Sequence, residues 1–315
     1  MTSESAFIDS LRALAGDPAA RGLRDDAAVL EFGGRKLVLT HDMIVEGVHF
    51  LAADPPEDVA WKLVAVNLSD LAAKGARPIG ALVGYCLSPA ADWNDAFVRG
   101  LGSALTAFDL ALLGGDTVSA PPGAPRAFGL TAIGEAESAA PSRAGARPGD
   151  LLWVSGTIGD AGAGLRIAIG EFEGSPSLVR RYRRPEPRVE LGLALAPLAH
   201  AMMDVSDGLL IDAARMAHAS GLSVTVELTD VPLSRELQAM LGGERQARVD
   251  ASTSGDDYEL LFAAPEEEIG DIGRISASLG LPLTCIGRFA AGEGLTLTEK
   301  GVELPLPASL GFQHG

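Results

Sequence analysis

Cysteine is nearly missing from this chain of 315 residues: Cys86 and Cys285 stand far apart, each within an apolar run. No CxxC, HExxH or Cys/His cluster accompanies them, which argues against a zinc site, and both thiols read as small core residues. Basic residues are scarce: 25 Lys and Arg face 42 Asp and Glu, for a formal net charge of −17. A general nucleic-acid binder needs clustered Lys and Arg to neutralise phosphates, so that class is set aside. No apolar run is long enough to span a bilayer, and no membrane partner is expected. The N-terminal stretch MTSESAFIDSLRALAG lacks a basic leader and a long apolar segment. Phe7, Ile8, Leu11 and Leu14 recur there at helical spacing, predicting an amphipathic helix rather than a signal peptide, and a cytoplasmic protein. A GxxxxGK[ST] phosphate loop is missing too. The Gly-rich piece SGTIGDAGAG has no Lys after its glycines, and it reads as a packed strand-to-helix turn.

What the chain does have is aspartate among small or hydroxyl residues. Asp25 and Asp26 lie in RDDAAVL, Asp42 in LTHDMIVEGVHF, Asp70 in NLSDLAAKGARP, Asp116 in LGGDTV, and Asp204 with Asp207 in MDVSDGLL. Asp256 and Asp257 form a further pair in SGDDYELLF. Carboxylates packed together repel unless protons or cations sit between them. Oxygen-only ligands favour hard cations, and Mg²⁺ shares its shell with substrate phosphates. The economical reading is a site for a nucleotide polyphosphate held through metal. Each motif also has a plainer reading. Ser206 or Asp207 can cap the helix that follows. Gly114-Gly115 is a turn signal, although it also lets backbone approach a phosphate. Asp70 and Lys74 are spaced for a surface ion pair, and His49 suits a satisfied core position. The basic stretch RRYRRPEPR is either a solvated helix entry or a phosphate collector, and Asp256 can be only a turn residue.

Patterning predicts strands at 27–31 and 36–40 joined by a Gly33-Gly34 hairpin, then a helix opened by Pro55-Pro56 with Val59, Ala60, Leu63, Val64 and Leu71 on its apolar face. A strand at 79–87, a helix at 92–108, and strands at 110–113 and 127–135 follow. The segment 138–150 is polar and rich in Gly, Pro and Arg. It separates an N-terminal domain, 1–138, from a C-terminal domain, 139–315. In the second half, strands are expected at 151–155, 201–205, 223–228, 258–263 and 283–289. Helices are expected at 162–169, after Pro185 and Pro187, and at 209–220. The alternation gives an α/β or α+β fold class.

Taken in order, RDDAAVL, THDMIVEGVHF, WKLVAVNLSDLAAKGARP, GGDT, TAIGEA, SRAGARPGDLLWVSGTIGDAGAGL, RRPEPRVELG, MDVSDGLL, GDDYELLF, CIGR and the final GF resemble the thiamine-monophosphate kinases of the aminoimidazole-ribonucleotide-synthetase-like superfamily over nearly the whole chain. The resemblance implies a two-domain fold of that type. Its N-terminal domain would bind ATP and Mg²⁺ and pair with a second copy into a dimeric sheet barrel, and its C-terminal domain would be α/β. It implies phosphorylation of thiamine monophosphate by ATP on several Mg²⁺ ions, with no covalent nucleophile on the protein. It places Asp26, Thr40, His41, Asp42, Asp70, Asp116, Asp204 and Asp207 at metal, and Gly115, Asp116, Arg143 and Ser206 at ATP. His49, Asp256 and Phe312 would contact thiamine phosphate. His41 stands where the family usually has a hydroxyl residue, and Asp256 where Glu is usual; neither removes a carboxylate. Two alternatives remain: another ATP-dependent phosphate-activating enzyme of the superfamily, or a non-catalytic nucleotide or thiamine-phosphate sensor. A selenophosphate-type enzyme would need a reactive thiol early in the chain, and no cysteine precedes Cys86.

Overall fold

The computed structural model describes residues 4–121, 123–137 and 140–313. Helix α1 (Glu4–Arg12) forms where the spacing predicts it. Phe7 and, past the helix end, Leu14 are nonetheless exposed, so this stripe is not packed as a core face.

The first of two sheets has strand order β1–β2–β5–β3–β4, made of β1 (Ala28–Phe32), β2 (Arg35–Val45), β3 (Arg77–Leu87), β4 (Ala111–Ser119) and β5 (Ala127–Ala136). Gly33 and Gly34 make the predicted hairpin with positive φ at both, which glycine adopts without a Cβ clash. β2 runs past Thr40 to Val45 along β5, so Asp42 lies inside a strand. β4 likewise continues through Gly114, Gly115 and Asp116: the predicted turn there is extended backbone paired parallel to β3. The sheet is open, with β1 and β4 as its edges, and β4 is exposed along its length.

Helices α2 (Pro56–Ala73) and α3 (Ala91–Ala107) pack with this sheet. The expected apolar face of α2 understates its burial. From Val59 to Ala73 every residue except Trp61 is buried, Lys62, Asn67, Ser69 and Asp70 included. The cause is position: α2 packs on β2, β5 and α3 from one unit and on α6 (Val189–Leu195) and β7 (Ala201–Asp204) from the other. Polar groups buried this way must find partners or they destabilise the fold, and that requirement builds the site.

The second sheet runs β12–β11–β8–β10–β6–β9–β7. Besides β7 it comprises β6 (Leu151–Ser155), β8 (Ser223–Glu227), β9 (Leu260–Ala264), β10 (Leu283–Ala290), β11 (Gly294–Glu299) and β12 (Val302–Leu304). β6 is buried on both faces. Leu152 and Val154 join the core with α4 (Asp160–Ala168), α5 (Pro176–Arg183), α7 (Leu209–Ser220), α8 (Arg235–Leu241) and α9 (Arg245–Thr253). Leu151 and Trp153 join the opposite core with α6 and α10 (Ile269–Leu279), and with Ala72 and Ala73 from the end of α2. Cys86 and Cys285 are free thiols and only half-buried, a correction to their reading as core residues. The expected boundary between 138 and 139 lies outside the described residues. No helix of the described residues is long and apolar enough to cross a membrane.

Candidate active site

Where α2 passes between the two units, carboxylates from four segments converge. Asp26 precedes β1, Asp42 lies on β2, Asp70 on α2, and Asp204 ends β7. The Asp42 amide donates to Asn67 Oδ1 at 3.0 Å, and Asn67 Nδ2 donates to the Leu63 carbonyl at 2.9 Å, which ties β2 to α2. Thr40 Oγ1 donates to Asp70 Oδ2, and Ser69 Oγ donates to Asp204 Oδ2 at 2.6 Å.

Burial pushes the Asp204 carboxyl up to about 8, helped by the charge of Asp26; the Ser69 hydroxyl opposes the rise. Burial also raises Asp42 to about 6, with Asp26 and Asp207 adding repulsion. Asp70 is raised well above the carboxylate range by burial and by Asp42, Asp204 and Asp26. Such mutual repulsion is the signature of a site built for cations.

Two cations already serve part of the cluster. Lys74 is fully buried, so the surface pair with Asp70 does not exist. Its Nζ instead meets Asp25 Oδ1 at 2.5 Å and Asp26 Oδ2 at 2.7 Å, and donates to the Pro141 and Met202 carbonyls. Burial opposes ionisation of Asp25, but Lys74 and Arg21 outweigh it and hold this carboxyl at about 2. Arg143 donates to Asp26 Oδ1 from its guanidinium and to Asp25 Oδ1 from its amide. Burial opposes the guanidinium charge, and Asp26 more than restores it.

The MDVSDGLL loop follows another logic. Neither Ser206 nor Asp207 caps α7. Instead Asp212, fully buried in the first turn of that helix, accepts from both of their amides at 3.1 and 3.2 Å. Burial raises Asp212 to about 6 against the pull of Arg215, whose Nη1 lies 2.9 Å from Asp212 and 2.5 Å from Asp207. The chain's end is pinned here: the Phe312 amide donates to the Asp207 carbonyl at 2.8 Å, and the Phe312 ring is half-exposed. The Asp256 amide donates to the Ser206 carbonyl at 2.7 Å. Asp256, φ +72°, also meets the buried Lys62 ammonium at 2.7 Å, and Lys62 donates to the His49 carbonyl at 2.8 Å. His49 Nδ1 accepts from the Val45 amide. His49, Asp256, Ser206, Asp207 and Phe312 therefore form one linked neighbourhood.

Two expected residues stand apart. The His41 ring turns to the opposite face of β2 from Asp42 and bonds Thr131 Oγ1 at 2.9 Å, so the imidazole does not join the cluster. Asp116 is in register with Gly84, Gly129 and Met43, one residue past the row that contains Asp42, and so lies on the open face. Gly115 is in the Asp42 row and has φ +157°, and a Cβ on it would come 2.0 Å from the Val83 carbonyl. Only glycine fits there.

The Gly-rich turn before α4 is not a phosphate cradle. Asp257 accepts from the Gly159 amide at 2.7 Å and the Ala161 amide at 3.3 Å, filling that helix start. The arginines of RRYRRPEPR run from the last turn of α5 to the N-cap of α6 and are largely used internally: Arg183 on Asp54, Arg184 on Asp58, Arg188 on Glu259. Lys62, Lys74, Asp212 and Arg215 were not singled out from sequence as site residues. The signal for the two lysines is their place on, or one residue past, a helix that carries Asn67 and Asp70.

A carboxylate set whose members at Asp42, Asp70 and Asp204 have raised affinity for protons fits hard divalent cations by donor chemistry. It is not a finished cage. Among the described residues no three His, Cys, Asp or Glu side chains are grouped closely enough to hold one ion. Asp70 is turned to Thr40, Asp204 to Ser69, and Asp26 to Lys74 and Arg143, near enough to repel one another without surrounding one point.

Fold and site define an AIR synthase related protein. The N-terminal domain description of that family matches residues 24–136, and the C-terminal one matches 147–300. Thiamine-monophosphate kinase of Caulobacter vibrioides is 43% identical over 95% of this chain and 87% of its own length. A solved structure described as AaThiL complexed with AMPPCP and TMP superposes with TM-score 0.87 at 32% identity, covering 99% of this chain and 97% of that one. Thiamine-monophosphate kinase from Stenotrophomonas maltophilia K279a gives TM-score 0.78 at 39% identity over 95% and 96% of the two chains. The chain belongs to the thiamine-monophosphate kinase family.

Proposed function

We propose that the protein transfers the γ-phosphoryl group of ATP to thiamine monophosphate, giving thiamine diphosphate and ADP. The observation that carries this reading is the full-length match to thiamine-monophosphate kinases, one of them solved with an ATP analogue and TMP, together with the converging carboxylates. Asp26, Asp42, Asp70, Asp204 and Asp207, with Thr40 and the backbone of His41, would hold Mg²⁺. Bound there, Mg²⁺ supplies charge neutralisation for two polyanions that otherwise repel. Arg143, held by Asp26, offers a guanidinium whose remaining donors suit a phosphate of ATP, and Ser206 presents its hydroxyl on the same loop as Asp207. His49, Asp256 and Phe312 would receive the thiamine phosphate. Its phosphate oxygen is ionised near neutral pH, so no protein base and no phospho-enzyme are needed.

The same reading includes a homodimer. In support, the first sheet is open, its β4 edge is exposed throughout, and Leu82, Leu112, Leu113 and Val118 are exposed apolar residues on β4 or on the adjacent β3. An unpaired edge of this kind is a pairing surface. Gly115 and Asp116 stand on this strand, so their assignment to ATP and metal goes together with the dimer. Light scattering at micromolar concentration should give twice the 32.5 kDa chain mass, and a monomer with and without ATP would remove the dimer.

The function is tested by a steady-state assay with ATP and Mg²⁺, running thiamine monophosphate beside free thiamine. Turnover of the monophosphate with little or none of thiamine is expected. A folded protein that accepts neither would return the reading to the sensor class.

A further inference from the structure

Lys62 lies inside the fold, 2% exposed in its side chain, and the carboxylate reading of the site gives it no task. An ammonium has three N–H donors. One goes to the His49 carbonyl at 2.8 Å and one to Asp256 Oδ2 at 2.7 Å. The group sits 4.2 Å above the Tyr182 ring centroid, where the ring face satisfies the remaining positive charge. No donor is left for a ligand, so Lys62 acts through its partners. Those partners are far apart in sequence. Asp256 is held on the other side by Ser206 through its amide and by the Tyr258 hydroxyl at 3.2 Å. The loop that carries His49 is fixed a second time at Asp54, which accepts from the Leu51 amide, the Tyr182 hydroxyl and Arg183 Nε. Tyr182 and Arg183 belong to the basic stretch RRYRRPEPR, which no other part of the site uses.

We propose that Lys62 is the positioning residue of the acceptor subsite: one buried ammonium sets His49 and Asp256 relative to each other, and Tyr182 and Arg183 lock the His49 loop around it. This rests on the acceptor assignment made above for His49 and Asp256. The Asp256 carboxylate is 27% exposed, so an incoming acceptor reaches it from outside while Lys62 holds it from within. Without the ammonium, the Asp256 carboxylate loses its ion pair and the His49 carbonyl loses its Nζ donor, so the direct link between the two is gone.

The test compares wild type, Lys62→Met, Asp256→Asn and the double variant, with a thermal melt on each sample. Lys62→Met should raise KM for thiamine monophosphate roughly ten- to hundredfold, the effect of losing a hydrogen bond to a charged group, and leave KM for ATP within about twofold. On the Asp256→Asn background the same change should add clearly less than in full, because the two share the Asp256 carboxylate and only the part through the His49 carbonyl remains. Tyr182→Leu keeps the Lys62 charge while removing the ring beneath it and the Tyr182 hydroxyl bond to Asp54, and serves if Lys62→Met does not fold. A smaller rise in the same KM is expected from it. A lysine that merely joins the two units would lower the melting temperature with both KM values unmoved or both raised, or its effect would add in full to that of Asp256→Asn; either result overturns the proposal. If wild type itself does not phosphorylate thiamine monophosphate, the function reading fails first, and the wild-type control shows it.

Discussion

Asp204 ends a buried strand with only a Ser69 hydroxyl to balance it, and three other aspartates add to its proton affinity. Two expectations follow at this scale. Asp204→Asn and Asp42→Asn should each cut kcat by about 10²–10³, the usual cost of losing one electrostatic contact in such chemistry. Both should leave the melting temperature in EDTA unchanged or higher, since each removes one member of a self-repelling set. Near-wild-type turnover in both would sink the carboxylate reading. The pH dependence has a definite sign. Asp204 near 8 and Asp42 near 6 lie above the ordinary 3.8, so the folded chain binds more protons than the unfolded one across that window. Their contribution therefore falls as pH rises from about 4 to about 8. Asp25, lowered to about 2, adds stability that is present above about 4 and disappears only toward pH 2, outside the window. Melting in EDTA should drop between about pH 5 and pH 8.5, and Asp204→Asn should flatten the slope. A rise over that range contradicts it. The aspartates were legible in sequence because small and hydroxyl neighbours mark close packing locally. Lys62, Lys74 and Asp212 were not, because a lysine's burial depends on what packs around its helix from elsewhere in the chain.

At the scale of elements, the β2 strand, the α2 helix and the β7 strand supply Thr40, Asp42, Asp70 and Asp204 from rigid pieces. Sequence patterning located α3, β6 and α7 within a residue or two, and the start of α2 at Pro55-Pro56. It missed the extent of β4, where Gly114-Gly115 reads as a turn by composition but is held extended by parallel pairing with β3. It also missed that α2 is buried all round, since a helix between two units has no solvent side for its pattern to reveal. The C-terminal tail gives a test of element against site. Leu310 and Phe312 fasten it to the start of α7 through the Ile211 amide and the Asp207 carbonyl. Phe312→Ala should raise KM for thiamine monophosphate about two- to thirtyfold, the span of a lost cation–π contact, with KM for ATP nearly unchanged. If the ring only anchors the tail, the melting temperature drops and the two KM values move together or not at all.

For the whole molecule, the arrangement is two sheets with one buried helix between them, and the acidic cluster sits where that helix is gripped from both sides. On the proposed reading, an acidic protein of this kind would handle an anionic nucleotide by placing cations in the site before the phosphates arrive. The family was legible from the collinear motifs, whereas the position of Asp116 on the open face of the first sheet was not, because strand parity is fixed only once β4 is paired. The most direct measurement is phosphorus NMR of the purified protein with ATP and thiamine monophosphate, with Mg²⁺ and then with excess EDTA. Thiamine diphosphate and ADP appearing in equal amounts, without free phosphate and only when Mg²⁺ is present, is the predicted result. Release of inorganic phosphate with the thiamine monophosphate signal intact, or transfer that continues in EDTA, would contradict it.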